Sequence, residues 1–123
     1  MRVHENIAKA LIGVLERGET DPLFELLAPG SVVWHNHDRR VIDARENVEG
    51  SVRLRELVDD VKVEVVDQQD TPTGFVQQFV LRGIIKGTGT ELVTHNCLIA
   101  RVEDGRLSRV DEYVDPALIT TFG

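Results

Sequence analysis

Two stretches of the sequence contain residue types that could do chemistry. In the first, Val-Val-Trp-His-Asn-His-Asp at positions 32–38, two histidines, an asparagine and an aspartate follow a tryptophan. In the second, near the C-terminal end, Glu112 alternates with Val110 and Val114. A carboxylate on an apolar face loses hydration and becomes a better proton acceptor unless a cation compensates. Glu112 is therefore a candidate general base, and a structural ion pair with an arginine is the alternative.

The histidines of the first stretch suggest a metal site, but the rest of the pattern disfavours one. His35 and His37 are two residues apart, so on a strand they share a face and could chelate a metal, as the paired histidines of cupins do. The cupin pattern also needs a glutamate four or five residues later, where Val41 and Ile42 stand. Face parity places His95 with the pair on the outside of the fold. We therefore predict no metal, and we expect these histidines at a pocket rim or an interface.

The composition is typical of a soluble globular protein and limits its partners. The chain has 123 residues, 41% hydrophobic and 28% charged, which suits one domain spanning residues 1–123. A net charge of −7 would repel a phosphate backbone, so nucleic acid is not an expected partner. No apolar segment is typical of a signal peptide or a membrane span, which predicts a cytoplasmic location. Cys97 is the only cysteine, so no internal disulfide can form, and we expect an inert thiol.

Hydrophobic spacing divides the chain into three helices followed by strands. Apolar residues at helical spacing predict a first helix from Val3 to Leu15, stopped by Gly18. Asp21 caps a second helix over residues 22–28, and Asp43 a third over residues 44–58. A strand over residues 31–38 lies between them. Period-two alternation then predicts strands at 61–68, 75–85, 90–102 and 106–115, and a helical turn is expected from residue 116. This order is typical of an α+β fold with the helices on one face of a curved sheet.

Alternation along each strand predicts which side chains share a face. One face of each long strand is largely apolar, and the other mixes apolar residues with a few polar ones, as a small-molecule pocket requires. Both faces carry apolar side chains that must be buried, but the helices can cover only one of them. We therefore predict that the second, outer face packs against another copy of the chain in a homodimer. The predicted substrate-binding residues are Trp34, Asn36, Gln78, Val80, Ile84, Thr94, Asn96, Val110 and Val114, and the predicted catalytic residues are Glu112, Arg82 and Asp38.

Three segments give the sequence a resemblance to a known superfamily. They are Leu-Leu-Ala-Pro-Gly-Ser-Val-Val-Trp-His-Asn, Phe-Val-Leu-Arg-Gly-Ile-Ile-Lys-Gly-Thr-Gly, and above all Val-Glu-Asp-Gly-Arg-Leu-Ser-Arg-Val-Asp-Glu-Tyr-Val-Asp-Pro-Ala. Together they resemble the SnoaL-like branch of the nuclear transport factor 2 superfamily, which includes ketosteroid isomerases, limonene epoxide hydrolase and polyketide cyclases. The resemblance implies a cone-shaped, curved antiparallel sheet wrapped around three N-terminal helices, a cystatin-like α+β barrel. It also implies a deep pocket, usually in a dimer.

The resemblance transfers site residues unevenly. Glu112, one residue before Tyr113, matches the aspartate of the last strand of limonene epoxide hydrolase, and Trp34 and Asn36 match its water-holding tyrosine and asparagine. The Arg-x-Asp pair of the hydrolase aligns with Val80, Leu81 and Arg82. Val80 therefore lacks the charge of the arginine, and Arg82 has the opposite charge to the aspartate. Ketosteroid isomerases carry an aspartate base near the end of the first strand, where Asp38 is the residue able to accept a proton. The resulting hypothesis places Glu112 opposite Arg82.

Two functions remain open from the sequence. The first is a cofactor-independent isomerase, lyase or hydrolase that acts on an apolar cyclic substrate, such as a polyketide, terpenoid or steroid-like molecule. In it, Glu112 moves a proton or activates water while Arg82 stabilises developing oxyanion charge. The second is a non-catalytic module that binds the same class of ligand, in which Arg82 and Glu112 form a structural ion pair.

Overall fold

Three α-helices and six strands make up the part of the chain, residues 4–117, that the computed structural model describes. No helix in this part is long and apolar enough to cross a membrane. The helices are α1 (Glu5–Arg17), α2 (Asp21–Phe24) and α3 (Ala44–Val52), and a 3₁₀ helix (Arg53–Glu56) follows α3 directly. The strands are β1 (Leu27–His35), β2 (Val41–Asp43), β3 (Val58–Thr71), β4 (Gly74–Ile85), β5 (Glu91–Glu103) and β6 (Arg106–Tyr113).

Helix α1 follows the predicted apolar spacing and stops at the predicted glycine. Its buried stripe includes Ile7 and Val14, which face the sheet. Gly18 has a φ of +69°, a left-handed conformation that glycine adopts readily, and its N–H donates to the Val14 carbonyl at 3.1 Å. The predicted stop is therefore confirmed, although Val3, the first residue of the predicted stripe, lies outside the described residues.

Helices α2 and α3 differ in how well the sequence predicts them. The prediction that α2 extends through residue 28 is wrong, because the chain enters β1 at Leu27, which pairs with Leu107 of β6. Helix α3 begins as predicted, with the Asp43 carboxylate accepting a hydrogen bond from the Glu46 N–H at 3.1 Å. The last predicted turns of α3 tighten into the 3₁₀ helix. The turn predicted from residue 116 begins as helix at Pro116 and Ala117, and its continuation lies outside the described residues.

The six strands form one curved sheet in the order β2-β1-β6-β5-β4-β3. All neighbouring strands are antiparallel except β1 and β6, which run parallel. The predicted curved α+β sheet is therefore confirmed, with one parallel pair that the antiparallel prediction did not include: the long connection through α3 and four strands allows this pairing. The predicted barrel is also not closed, because β2 and β3 form the two edges of the described sheet. The three-residue strand β2 was not predicted, since it is too short to show alternation.

The helices cover one face of the sheet, as the α+β prediction requires, and we call this the inner face. Phe75 and Phe79 of β4, Leu98 of β5 and Val110 of β6 pack there against α1 and α3. A second buried cluster on the same side joins β3, β4 and β5 through Val58, Val61, Leu81 and Leu92. The opposite side, which we call the outer face, has no helix packed on it among the described residues.

Candidate functional site

Two neighbouring cavities lie between the inner face and helix α3. The larger, which we call the main pocket, has a volume of about 650 Å³ and is walled by α3, the 3₁₀ helix and side chains of five strands. The smaller, which we call the inner chamber, measures about 40 Å³ and lies deeper, among aliphatic side chains of the core. Four residues line both cavities: Leu15, Asn47, Ser51 and Glu112.

Glu112 lies where the two cavities meet, on the inner face of β6. Its neighbours on that face, Val110 and Val114, line the inner chamber and the main pocket respectively. The Glu112 side chain is 20% exposed, so the pocket gives it its contact with solvent. The alternation-based prediction for β6 therefore places all three residues correctly, and a ligand in the main pocket would meet this carboxylate.

His35 is the partner of Glu112, and the prediction that it faces away from the pocket is wrong. The parallel pairing of β1 with β6 sets the two residues opposite each other. His35 Nε2 lies 3.5 Å from Glu112 Oε2, and the histidine is 14% exposed. Hydrogen bonding to the Glu112 carboxylate raises the pKa of His35, against the opposing effect of burial. The site therefore combines a carboxylate with a histidine that stays protonated to higher pH than usual.

His37 and Asp38 continue this polar group toward the mouth of the pocket. The rings of His35 and His37 are 5.3 Å apart between centroids, and His37 Nε2 lies 3.6 Å from Asp38 Oδ2. Asp38 also accepts a hydrogen bond from the Arg40 N–H, and this bond lowers the pKa of the Asp38 carboxyl. His37 lines the main pocket but Asp38 does not, so the predicted base Asp38 lies at the rim as an ionised carboxylate.

Trp34 and Asn36, predicted to face the pocket, do not line either cavity. Trp34 lies on the outer face and contacts the Tyr113 ring edge-on, with 5.4 Å between ring centroids. Asn36 bridges strand ends: its Oδ1 accepts from the Val114 N–H at 2.9 Å, and its Nδ2 donates to the Val114 carbonyl at 3.4 Å. The match of these two residues to a water-holding pair therefore fails on position, and Asn36 is a structural link.

Strand β4 is also turned the opposite way from the prediction. Phe79 and Leu81 face the main pocket. Gln78, Val80, Arg82 and Ile84, predicted as pocket residues, alternate with them and lie on the outer face. Arg82 is on the surface, 3.8 Å from Glu91, so the predicted pair between Arg82 and Glu112 does not form. The reason is physical: the side of β4 with two phenylalanines is the one that the helices bury.

On strand β5 the predicted face is correct. Thr94 is fully buried, and Asn96 lines the main pocket. Asn96 Nδ2 donates to Thr94 Oγ1 at 3.0 Å, and its Oδ1 accepts from the Asp115 N–H at 2.9 Å. Both polar groups of the Asn96 side chain therefore form hydrogen bonds. The one to Asp115 holds the segment that follows β6, and the side chain also lines the main pocket.

The outer face has a shallower depression of about 580 Å³. Gln78, Val80, His95 and Cys97 line it, which places His95 and Cys97 on the predicted side of the sheet. Burial raises the pKa of the Cys97 thiol. A thiol that stays protonated is a poor nucleophile, in agreement with the inert role expected for it.

Helix α3 and the 3₁₀ helix supply pocket residues that the sequence interpretation missed. Asn47 and Ser51 are four residues apart and therefore share a helix face, a signal that alternation along strands could not reveal. Arg53 and Leu54 belong to the 3₁₀ helix and line the main pocket near its mouth. Within residues 4–117, no group of three or more histidine, cysteine or acidic side chains is arranged to hold a metal ion.

Comparisons with known proteins identify the fold. No protein-family model matches the sequence, and no curated protein matches it. IdmH of Streptomyces antibioticus, a proposed polyketide cyclase, is 20% identical with a TM-score of 0.80, and the match covers 98% of this chain and 97% of that one. A SnoaL-like protein of Jannaschia, also a proposed polyketide cyclase, is 16% identical with a TM-score of 0.77, covering 98% and 93%.

A third solved structure shows the same fold with a small molecule present. A protein of Catenulispora acidiphila with a ketosteroid isomerase-like fold, solved in complex with trimethylamine, is 18% identical with a TM-score of 0.72. The match covers 87% of this chain and 83% of that one. The chain described here has this nuclear transport factor 2-like fold, so the resemblance predicted from the sequence is confirmed at the level of the fold.

Proposed function

We propose that the protein binds a small, apolar, cyclic molecule in the main pocket and moves a proton on it without a cofactor, with Glu112 as general base and His35 as its partner. The reaction class is an isomerase, lyase or hydrolase. The observation that supports this most is the position of Glu112, a half-buried carboxylate that lies between two cavities and 3.5 Å from a histidine. This pair takes the place of the predicted pair of Glu112 with Arg82.

The pocket supports the proposed ligand class. Its volume of about 650 Å³ lies within the ordinary range for small-molecule sites, and apolar side chains such as Phe79, Leu81 and Ile42 line it. Most of its exposed lining surface is apolar, so the polar groups would orient a ligand rather than dominate its affinity. The resemblance to proposed polyketide cyclases of the same fold supports a polyketide, terpenoid or steroid-like ring system.

The two side chains can divide the chemistry between them. Glu112, when ionised, accepts a proton from a carbon beside a substrate carbonyl, and the C–H electrons move into an enolate. His35, whose pKa is raised by its hydrogen bond to Glu112, donates a hydrogen bond from its ring to the developing oxyanion. Return of the proton to another carbon completes an isomerisation, and loss of a leaving group completes a lyase reaction. If a water molecule takes the place of the C–H group, the same base supports hydrolysis.

The test uses a probe that needs only a base in an apolar pocket. Deprotonation of 5-nitrobenzisoxazole breaks its C–H and N–O bonds together and releases a coloured phenolate. Glu112→Gln should lower the rate above background by about a hundredfold or more. Glu46→Gln, which removes another carboxylate of the same pocket, should leave the rate within about twofold. Equal rates for the wild type and Glu112→Gln would contradict the catalytic role.

A non-catalytic binding module is the alternative, and one observation favours it: His35 Nε2 lies 3.5 Å from Glu112 Oε2. A closed pair of this kind stabilises strands β1 and β6 and lowers the basicity of the carboxylate. In that case N-phenyl-1-naphthylamine would bind the pocket with ordinary affinity, while the wild type would show no proton transfer above Glu112→Gln. The two functions thus differ in turnover and agree in binding.

We also propose that two copies of the chain associate through the outer face. Ile99 and Tyr113 are 41% and 44% exposed there, and Trp34 lies beside Tyr113. A sheet face with exposed apolar side chains is a common surface for subunit association. Ile99→Glu should convert a dimer to a monomer in analytical ultracentrifugation, and a wild-type monomer at high concentration would contradict the proposal. The cytoplasmic location and the single domain stay predictions of the sequence.

A further inference from the structure

The main pocket has one permanently charged cation at its mouth. Among the described residues that line the two cavities, Arg53 is the only arginine or lysine. It is the first residue of the 3₁₀ helix after α3, and its side chain is exposed. No carboxylate within residues 4–117 lies within ion-pair distance of it. Its charge is therefore available to a ligand.

The other charged groups of the pocket are already compensated. Glu112 and His35 lie against each other. Glu46 is in the first turn of α3, where the helix dipole favours a negative charge. It precedes Arg53 by seven residues, about 10 Å along a helix, so the two charges lie at opposite ends of the α3 wall. Among the described residues that line the pocket, Arg53 therefore supplies the one fixed positive charge that no carboxylate pairs.

The surroundings of Arg53 are apolar on the pocket side. Leu54 and Leu57 of the same segment and Leu81 of β4 line the pocket with it, and Leu57 is 48% exposed. A cation beside an apolar wall fits a ligand with an anionic head and an apolar body. Arg53 also follows the C-terminal end of α3, where a positive charge stabilises a helix, so a purely structural role is the competing explanation.

We propose that the ligand of the main pocket is an amphipathic anion, with a carboxylate or similar group at Arg53 and its apolar ring system extending along Leu54 and Leu81 toward Glu112. The inference rests on the proposed function for the identity of the binding site, and it adds the charge of the ligand. It also sets the ligand's orientation: the anionic group lies at the mouth, away from the reacting carbon.

Two fluorescent dyes test this directly, because they share a ring system and differ in charge. 1-Anilinonaphthalene-8-sulfonate carries a sulfonate that stands in for the ligand's anionic group, and N-phenyl-1-naphthylamine is neutral. Arg53→Gln should weaken binding of the sulfonate by about fivefold and leave the neutral dye within about twofold. Added salt should weaken sulfonate binding to the wild type but not to Arg53→Gln.

Two control variants locate the effect. Arg101→Gln makes the same charge change on an exposed residue of β5 outside both cavities, and both dyes should bind it as they bind the wild type. Gly50→Phe adds a ring to the pocket wall and should weaken both dyes, which places them in the main pocket. Equal effects of Arg53→Gln on the two dyes, or no effect on either, would overturn the inference. Failure of the neutral dye to bind would instead contradict the proposed pocket itself.

Discussion

The inner and outer faces of the sheet both carry charged side chains, but they surround them differently. On the inner face, Glu112 and His35 contact each other beside two cavities and among valine and leucine side chains. On the outer face, Arg82 and Glu91 are 50% and 64% exposed, and their charged atoms are 3.8 Å apart. Water screens the outer pair, so its effect on stability is small. Burial strengthens the inner interaction, and the hydrogen bond to Glu112 raises the pKa of His35 against the direct effect of burial, which lowers it.

This difference shows that a residue's surroundings decide its chemistry more than its type does. Arginine and glutamate on the outer face form an ordinary surface pair. Glutamate and histidine on the inner face are the pair that we propose exchanges a proton with a ligand, because their partial burial leaves less water to solvate them. The comparison depends on the assignment of faces, so the following predictions test that assignment first.

The largest expected effect is on packing, and strand β4 offers a matched pair of residues. Leu81 is 2% exposed on the inner face, and Ile84 is 36% exposed on the outer face. Leu81→Ala should lower the free energy of unfolding by about 2–5 kcal/mol, because it leaves a cavity in the buried cluster. Ile84→Ala should lower it by about 1 kcal/mol or less. Urea unfolding compares the two, and a larger loss for Ile84→Ala would reverse the assigned faces of β4.

A smaller loss of stability is expected for a substitution of Asn36. Measuring stability and ligand binding together shows whether this residue links the strand ends or contacts the ligand. Asn36→Ala removes two hydrogen bonds to the Val114 backbone and should cost about 1–3 kcal/mol of stability. Gln78→Ala, on the outer face, should cost less than about 0.5 kcal/mol. Binding of N-phenyl-1-naphthylamine to folded Asn36→Ala should match the wild type. Weakened dye binding with unchanged stability would show that Asn36 serves the ligand after all.

The next effect depends on pH. The hydrogen bond to Glu112 raises the folded-state pKa of His35 above its ordinary value, so the interaction stabilises the fold fully below about pH 6.5 and is lost as pH rises through the folded pKa. His35→Asn should therefore cost about 1 kcal/mol near pH 6 and less near pH 8, measured by urea unfolding. His95→Asn, on the outer face, should keep the pH dependence of the wild type. A cost of His35→Asn that grows with pH would contradict the pairing with Glu112.

The smallest expected effect is at Arg82. Arg82→Gln should change the free energy of unfolding by less than about 0.5 kcal/mol, because it removes only an exposed pair. It should also leave 5-nitrobenzisoxazole turnover within about twofold of the wild type. A loss of turnover close to that of Glu112→Gln would restore the catalytic role that the sequence first suggested for this arginine.

The sequence predicts the fold better than it predicts the site. The helical spacing of apolar residues, together with Gly18 and the cap at Asp43, predicts the end of α1 and the start of α3. The alternation along β5 and β6 correctly places Asn96 and Glu112 on the inner face. Alternation groups the residues of a strand into two faces, but it does not show which face the helices cover. On β4 the prediction places the more polar side toward the pocket, whereas the structure buries the opposite side, and its two phenylalanines, Phe75 and Phe79, indicate that burial in the sequence.

The faces of β1 could not be read from its own residues. The strand has a register shift between Leu27 and Val32, and its inward side is set by parallel pairing with β6, which lies about 75 residues later in the chain. A pairing at that separation leaves no local pattern, so the sequence alone places His35 and His37 on the outside. The resemblance reinforced the error, because it matched Trp34 and Asn36 to a water-holding pair by position alone.

The contact between Glu112 and His35 is the central claim, and an NMR titration of the His35 ring tests it most directly. The ring resonances are assigned by their absence in His35→Asn, and they are followed with pH in the wild type and in Glu112→Gln. The structure predicts a wild-type pKa above 6.5 that falls when the carboxylate is replaced by an amide. The same His35 pKa in both proteins would contradict the pairing, and with it the proposed site.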